Sequence, residues 1–297
     1  LALGRAVQGA GAISAAVTAF LADATRDSVR TKSMAMVGGS IALMFALSLV
    51  FSPALAGWVG LSGIFALTGV LAMLAIAMVI WVAPAEPQEH RPSDMQHLRA
   101  GMAEVLRHRG LMRLNLGVFV LHAVQLAMWM ALPALLVSAG LAKSSHGHIY
   151  LPAVAASLVV MGGVLFPMER RGRLRAAFLM AVALIGAVQL ALWALADAKP
   201  GLWTLGLLLF VFFIGFNTLE ATLPSLVSRL APAHARGAAL GVYNTLQSVG
   251  LFVGGVVGGW LAHAHGAQGL FAVCSVAMLV WLVVAWPMQA PSSAARR

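Results

Sequence analysis

Cysteine is almost missing from this chain. Cys274 stands alone among 297 residues, which excludes a disulfide framework and a thiolate metal site. Acid is scarce as well: nine Asp and Glu face nineteen Lys and Arg, and charged residues make up 9% of the whole. An ordinary soluble domain carries roughly a quarter of its residues as charges, so that class is excluded too. No Gly-x-x-x-x-Gly-Lys loop occurs, and with it goes ATP-driven work by this chain. The opening segment lacks a basic leader and carries Arg5, so it reads as a span and not as a signal peptide.

What is present is apolar: 61% of the chain is hydrophobic. The apolar residues fall in nine runs, about 1–22, 34–55, 58–82, 112–138, 149–168, 176–196, 202–227, 238–262 and 268–289. Each is long enough to cross ~30 Å of hydrocarbon at about 1.5 Å per residue. The chain is therefore expected to be an all-α integral membrane protein with nine transmembrane helices. Following the connections in turn puts sixteen basic residues on one face, against Lys143 and Lys199 on the other. That bias makes the basic face cytoplasmic, the N-terminus external and the C-terminus internal. The net charge of +10 is thus a topological signal that also suits anionic lipid headgroups, and nucleic acid is not expected as a partner.

Residues 52–58 and 254–260 share a pattern of small residues closing on Trp58 and Trp260. A few residues on, Gly63-Ile-Phe-Ala-Leu67 matches Gly269-Leu-Phe-Ala-Val273. Parallel repeats of this kind mark a transporter of two similar halves. Six spans follow Leu111 and three precede the central connection, those three resembling the last three of the second half. The expected layout is three spans of a first bundle in 1–82, a linker with an amphipathic helix in 83–110, a six-helix bundle in 111–289 and a cytoplasmic tail in 290–297. In the linker, Ser93-x-x-Gln96 reads as a capping box, followed by Met95, Leu98, Met102 and Val105 on one side of a helix.

Ionisable side chains at bilayer depth face a cavity or a partner. His122 lies nine residues beyond Arg113 on one helix, and Glu220 nine residues before Arg229 on a helix running back. Both sit roughly 13 Å inward from the same face. Burial favours their neutral forms and proximity their charged ones, so either can change protonation with solvent access; a neutral, hydrogen-bonded pair that only fixes packing is the alternative. Gly250, Gly254 and Gly258 recur every fourth residue and admit a close neighbouring helix. Trp58, Trp129, Trp193, Trp203, Trp260, Trp281 and Trp286 are expected to be interfacial anchors. His146-x-His148 and His263-x-His265 have no carboxylate nearby, and no metal or cofactor is expected. His90-x-x-x-Asp94 lies in the linker with no oriented nucleophile, and no enzymatic activity is expected.

Leu1-x-x-x-Arg5-x-x-Gln8-Gly9-x-Gly11-Ala12 resembles the fourth-helix motif of the major facilitator superfamily. Glu169-Arg170-Arg171-Gly172-Arg173 is similar to the second-half copy of its acid-Arg-x-Gly-Arg loop. The fifth-helix antiporter motif survives as Ser48-x-x-x-Ser52-Pro53-x-x-Ala56-Gly57, with small residues where glycines are usual. Four stretches of the second half resemble bacterial proton-driven exporters of this family: Leu116–His122, Ala131–Pro133, Phe216–Ser225 and Gly241–Asn244.

The resemblance implies the family fold, represented from its fourth helix to its twelfth, with helices one to three absent from the sequence given. It implies a proton-coupling role for Glu220, His122 and Arg5, and a cytoplasmic gate from Asp23, Arg26, Glu169, Arg170, Gly172 and Arg173. It also implies a monomer in the bacterial inner membrane, handling a small-molecule substrate and protons. Efflux of an amphipathic or hydrophobic compound is the first reading. Proton-coupled uptake is the second, and a non-transporting membrane sensor or assembly protein the third.

Overall fold

The structure, a computed structural model, describes residues 13–82 and 95–288. Arg5, Ser93 and the tail expected at 290–297 lie outside them. Every regular element among the described residues is a helix: α1 Ile13–Ala24, α2 Asp27–Trp81, α3 Met95–Arg107, α4 Arg109–Ser138, α5 Gly147–Arg170, α6 Leu174–Leu195, α7 Leu202–Leu230 and α8 Arg236–Ala285. Hydrocarbon offers no partner to a backbone N–H, so a helix that satisfies its own backbone is the form these apolar runs take. Among the described residues six helical stretches are long and apolar enough to cross a membrane: Leu55–Trp81, Arg109–Ser138, Lys143–Arg170, Leu174–Ala198, Leu202–Leu230 and Arg236–Ala285.

At 50 residues, α8 would measure about 75 Å if straight, more than twice the hydrocarbon thickness. It is broken at Gly266, whose φ of 67° and ψ of −173° lie in a region essentially restricted to glycine. The chain doubles back there. Gly250, before the break, faces Phe119 of α4, and Trp281, after it, faces Gly117 of the same helix. Gly60 in α2 has nearly the same conformation, with φ 68° and ψ 178°. Three residues beyond each break a further glycine sits against the turn before it: a Cβ on Gly63 would lie 2.5 Å from Val59 Cβ, and one on Gly269 2.4 Å from His265 Cβ. The repeated sequence pattern thus has a repeated backbone.

The core lies in the second half. Trp281, Phe178, Phe212 and Phe271 are its largest fully buried side chains. This corrects the expectation for Trp281: it is no interfacial anchor but packs edge-on against Phe178, with ring centroids 6.1 Å apart. Trp129 also turns inward, 4.9 Å from the Tyr150 ring, whereas Trp203 is 94% exposed. The linker helix α3 docks through Val105, which is buried, and through Gly101, which faces Ala235 and Ala238. His234 and Glu104 meet across that junction at 2.9 Å. In the opposite sense, the most apolar stretch of Leu55–Trp81 has none of its residues buried.

Candidate functional site: a buried imidazole and carboxyl between three helices

Three glycines bring α8 onto α4. A Cβ on Gly250 would lie 2.5 Å from the Phe119 carbonyl oxygen, one on Gly254 2.3 Å from that of Ala123, and one on Gly258 2.6 Å from Ala127 Cα. No side chain larger than hydrogen fits at those separations, so backbone touches backbone. Gln247 is one turn before Gly250 on the same face, and the close approach carries its amide to the His122 ring, 2.7 Å from Nε2. The other ring nitrogen, Nδ1, is 2.9 Å from the Val118 carbonyl oxygen. A carbonyl only accepts, so Nδ1 carries hydrogen and donates.

From the third side α7 supplies Glu220, whose Oε1 is 3.2 Å from His122 Nε2. The side chains of His122 and Glu220 are 4% and 15% exposed, so both are largely out of water. Its Oε1 makes no aligned hydrogen bond. Pro224, inside α7, has no N–H to offer the Glu220 carbonyl, which loosens the helix there. Across from it α2 presents Gly38, where an added Cβ would lie 3.4 Å from Glu220 Cβ. Phe216 meets the imidazole edge-on at 5.9 Å, and Tyr243, buried on α8, lies within electrostatic reach of Glu220. An imidazole and a carboxyl thus lie side by side largely out of water, where ionisable groups are costly and by default functional.

A second polar cluster ties α2 to α5 and α7 about two turns further along α7. The Arg229 guanidinium donates to Glu169 Oε1 at 2.7 Å and to Thr31 Oγ1 at 2.8 Å. Thr31 Oγ1 in turn lies 2.8 Å from Ser225 Oγ, and the Lys32 ammonium sits 5.7 Å from the Phe166 ring centroid. Glu169 is therefore paired with Arg229. Its neighbours Arg170, Arg171 and Arg173 are exposed in the turn. Gly172 closes that turn with φ +70°, and the Arg173 N–H donates to the Met168 carbonyl at 2.8 Å, a helix C-terminal motif for which glycine is suited.

At the α1–α2 junction Arg26 is exposed and caps α2 with extended backbone, φ −66° and ψ 147°. The Asp23 side chain lies outside the described residues. Arg30 is buried and donates to the carbonyls of Ala22 and Thr25, where unpaired carbonyls at a helix end attract a cation. On the neighbouring face Asn244 Nδ2 is 3.4 Å from Thr18 Oγ1. Sequence reasoning centred on ionisable residues passed over Gln247, Thr31 and Gly38. For Gln247 a signal existed: it heads the stripe continued by Gly250, Gly254 and Gly258.

Helices of membrane length, apolar on their outer faces and holding an imidazole–carboxyl pair at mid-helix, define an integral membrane bundle with a polar interior. The profile of the Major Facilitator Superfamily matches residues 1–255, and the chain belongs to that family. It is 36% identical over 292 residues to the inner membrane transport protein YajR of Escherichia coli (strain K12), covering 97% of this chain and 63% of YajR. It is 27% identical over 191 residues to the multidrug resistance protein MdtH of Aeromonas salmonicida (strain A449), covering 63% of this chain and 46% of that protein. The fold matches the crystal structure of the human organic anion transporter MFSD10 with a TM-score of 0.69 at 18% identity, over 90% of this chain and 66% of that one. The chain thus spans just under two thirds of the length of YajR.

Proposed function

We propose that this chain is the larger part of a proton-coupled secondary transporter that exports a small amphipathic or hydrophobic compound by alternating access. Its helices would correspond to the fourth to twelfth of the family, in a bacterial inner membrane with the C-terminus cytoplasmic. The observation that carries this reading is the His122–Glu220 contact of 3.2 Å, nearly closed to water and faced by Gly38 of α2. Glu220 is the proton carrier and His122 its partner. The Arg229–Glu169–Thr31 cluster, with Arg170, Gly172 and Arg173 in the adjoining turn and Asp23 and Arg26 at the end of α1, is the cytoplasmic gate. Arg5 is assigned to the coupling machinery on the family motif.

Two helix groups rocking about the central pair would expose it to one side at a time, and proton binding would bias which side is open. One charge crossing the field gains about 2.3 kcal/mol per 100 mV, enough for a single titratable group to couple. The name of MdtH supports export as the direction. In the whole transporter reconstituted in liposomes, Glu220→Gln is expected to abolish flux driven by a pH gradient while leaving insertion and folding intact, because Gln keeps the shape of the neutral acid. Normal coupled flux per folded molecule in that variant would remove Glu220 as the carrier.

A further inference from the structure

The His122 ring has one hydrogen-bonding position to spare, and two groups compete for it. Nδ1–H is committed to the Val118 carbonyl, so the state of Nε2 decides the charge of the ring. Gln247 presents its Nε2 amide nitrogen at 2.7 Å. An amide nitrogen only donates, so in this arrangement His122 Nε2 is a lone pair and the ring is neutral. Glu220 Oε1 lies 3.2 Å from the same lone pair. An ionised carboxylate there sets lone pair against lone pair, so a proton shared by the two groups belongs on the carboxyl. The reverse assignment, imidazolium against carboxylate, turns Nε2 into an N–H and places it against the donating face of Gln247. The amide then has to turn over and offer its oxygen.

We infer that Gln247 is a positioning residue for the proton: by donating to His122 Nε2 it keeps the imidazole neutral and leaves the proton on Glu220. The inference rests on the proton-coupling reading of Glu220. The titratable group against the ring is Glu220 on α7; Tyr243 on α8 lies within electrostatic reach of Glu220, and α2 presents Gly38 to it. The amide is the neutral group that breaks the tie between acid and imidazole. It is held by backbone contact, since Gly250 and Gly254 fix the separation of α8 from α4, so the donor cannot drift away while the pair is closed. Motion that separates α8 from α4 withdraws the donor and lets the proton pass to the ring.

The test is nitrogen-15 magnetic resonance of histidine-labelled whole transporter in lipid bilayers near neutral pH, with the His122 signal assigned by its loss in His122→Ala. The unaltered protein is expected to show His122 as the neutral tautomer with hydrogen on Nδ1. Gln247→Glu, nearly identical in shape, replaces the donor by an acceptor and is expected to raise the cationic fraction of the ring by roughly two- to tenfold, the weight of one ordinary hydrogen bond. Gln247→Leu, which only removes the donor, is expected to move the ring the same way by less. That ordering is a signature a general packing disturbance does not produce. A cationic His122, or the Nε2–H tautomer, in the unaltered protein overturns the inference, as does an unchanged ring in Gln247→Glu. Because the resonance reads the ring and not transport, it stands apart from the Glu220→Gln flux experiment, whose failure would remove the carrier and leave the amide's control of the ring intact.

Discussion

Arg229 holds acceptors from two other helices, Glu169 on α5 and Thr31 on α2, through one guanidinium. Removing it strands a carboxylate that is 13% exposed, so Arg229→Ala is expected to cost roughly 1–3 kcal/mol, less than a fully buried pair because water still reaches the site. Thermal unfolding of purified protein checks this. The exchange Glu169→Arg with Arg229→Glu should recover part of the loss if charge pairing is the cause. Gly38 makes the other residue-scale prediction. With only 3.4 Å between its notional Cβ and Glu220 Cβ, Gly38→Leu is expected to push the carboxyl off the imidazole and reduce proton-coupled flux at least about tenfold, while Gly38→Ala, an ordinary close contact, changes it little. Equal activity of the two variants would contradict a closed contact at this point. Counting nine residues inward from Arg113 and from Arg229 is enough to put His122 and Glu220 at one depth. It says nothing about azimuth, and so could not show that Gln247 shares the ring. Neutral amides and hydroxyls carry no charge cost in the membrane that would make them conspicuous, which is why Thr31 and Gln247 were passed over.

At the scale of elements, the α4–α8 seam is the most sensitive place in the described chain. Gly254 faces backbone atoms, the Ala123 carbonyl oxygen at 2.3 Å and Cα at 2.7 Å from a notional Cβ, which cannot rotate aside. Gly254→Ala is expected to destabilise by about 1–3 kcal/mol through overpacking and to lengthen the His122–Gln247 contact. Gly259, with open space around the same position, is the control: Gly259→Ala should leave the unfolding temperature nearly unchanged. The helices themselves were legible because hydrophobicity and length suffice to call a span. Their breaks were legible only in part. His263, His265 and Gln268 interrupt the apolar pattern around Gly266 and mark that turn in the sequence, whereas apolar residues run on through Gly60 and only its backbone conformation marks where α2 turns. The stripe of Gly250, Gly254 and Gly258 was readable from its four-residue spacing, but the helix it packs against is a matter of tertiary structure.

For the molecule as a whole, hydropathy could not separate the side that meets lipid from the side that meets protein, since both are apolar. Trp281 shows the difficulty: near the end of an apolar run it reads as an anchor, yet it is 0% exposed, while Trp203 is 94% exposed. In single-tryptophan variants reconstituted with brominated lipid, Trp203 fluorescence is expected to be strongly quenched and that of Trp281 spared; comparable quenching would mean that the second half is packed differently. The two backbone breaks carry a further consequence for anyone handling this protein. A reversal made by one residue, as at Gly266, leaves no strand of loop to thread into a protease cleft or to display an inserted tag. Epitopes or cleavage sites placed there should destroy the fold, whereas the α5–α6 turn, with exposed Arg170, Arg171 and Arg173, offers trypsin a handle whose cutting in sealed vesicles reports which way the protein faces.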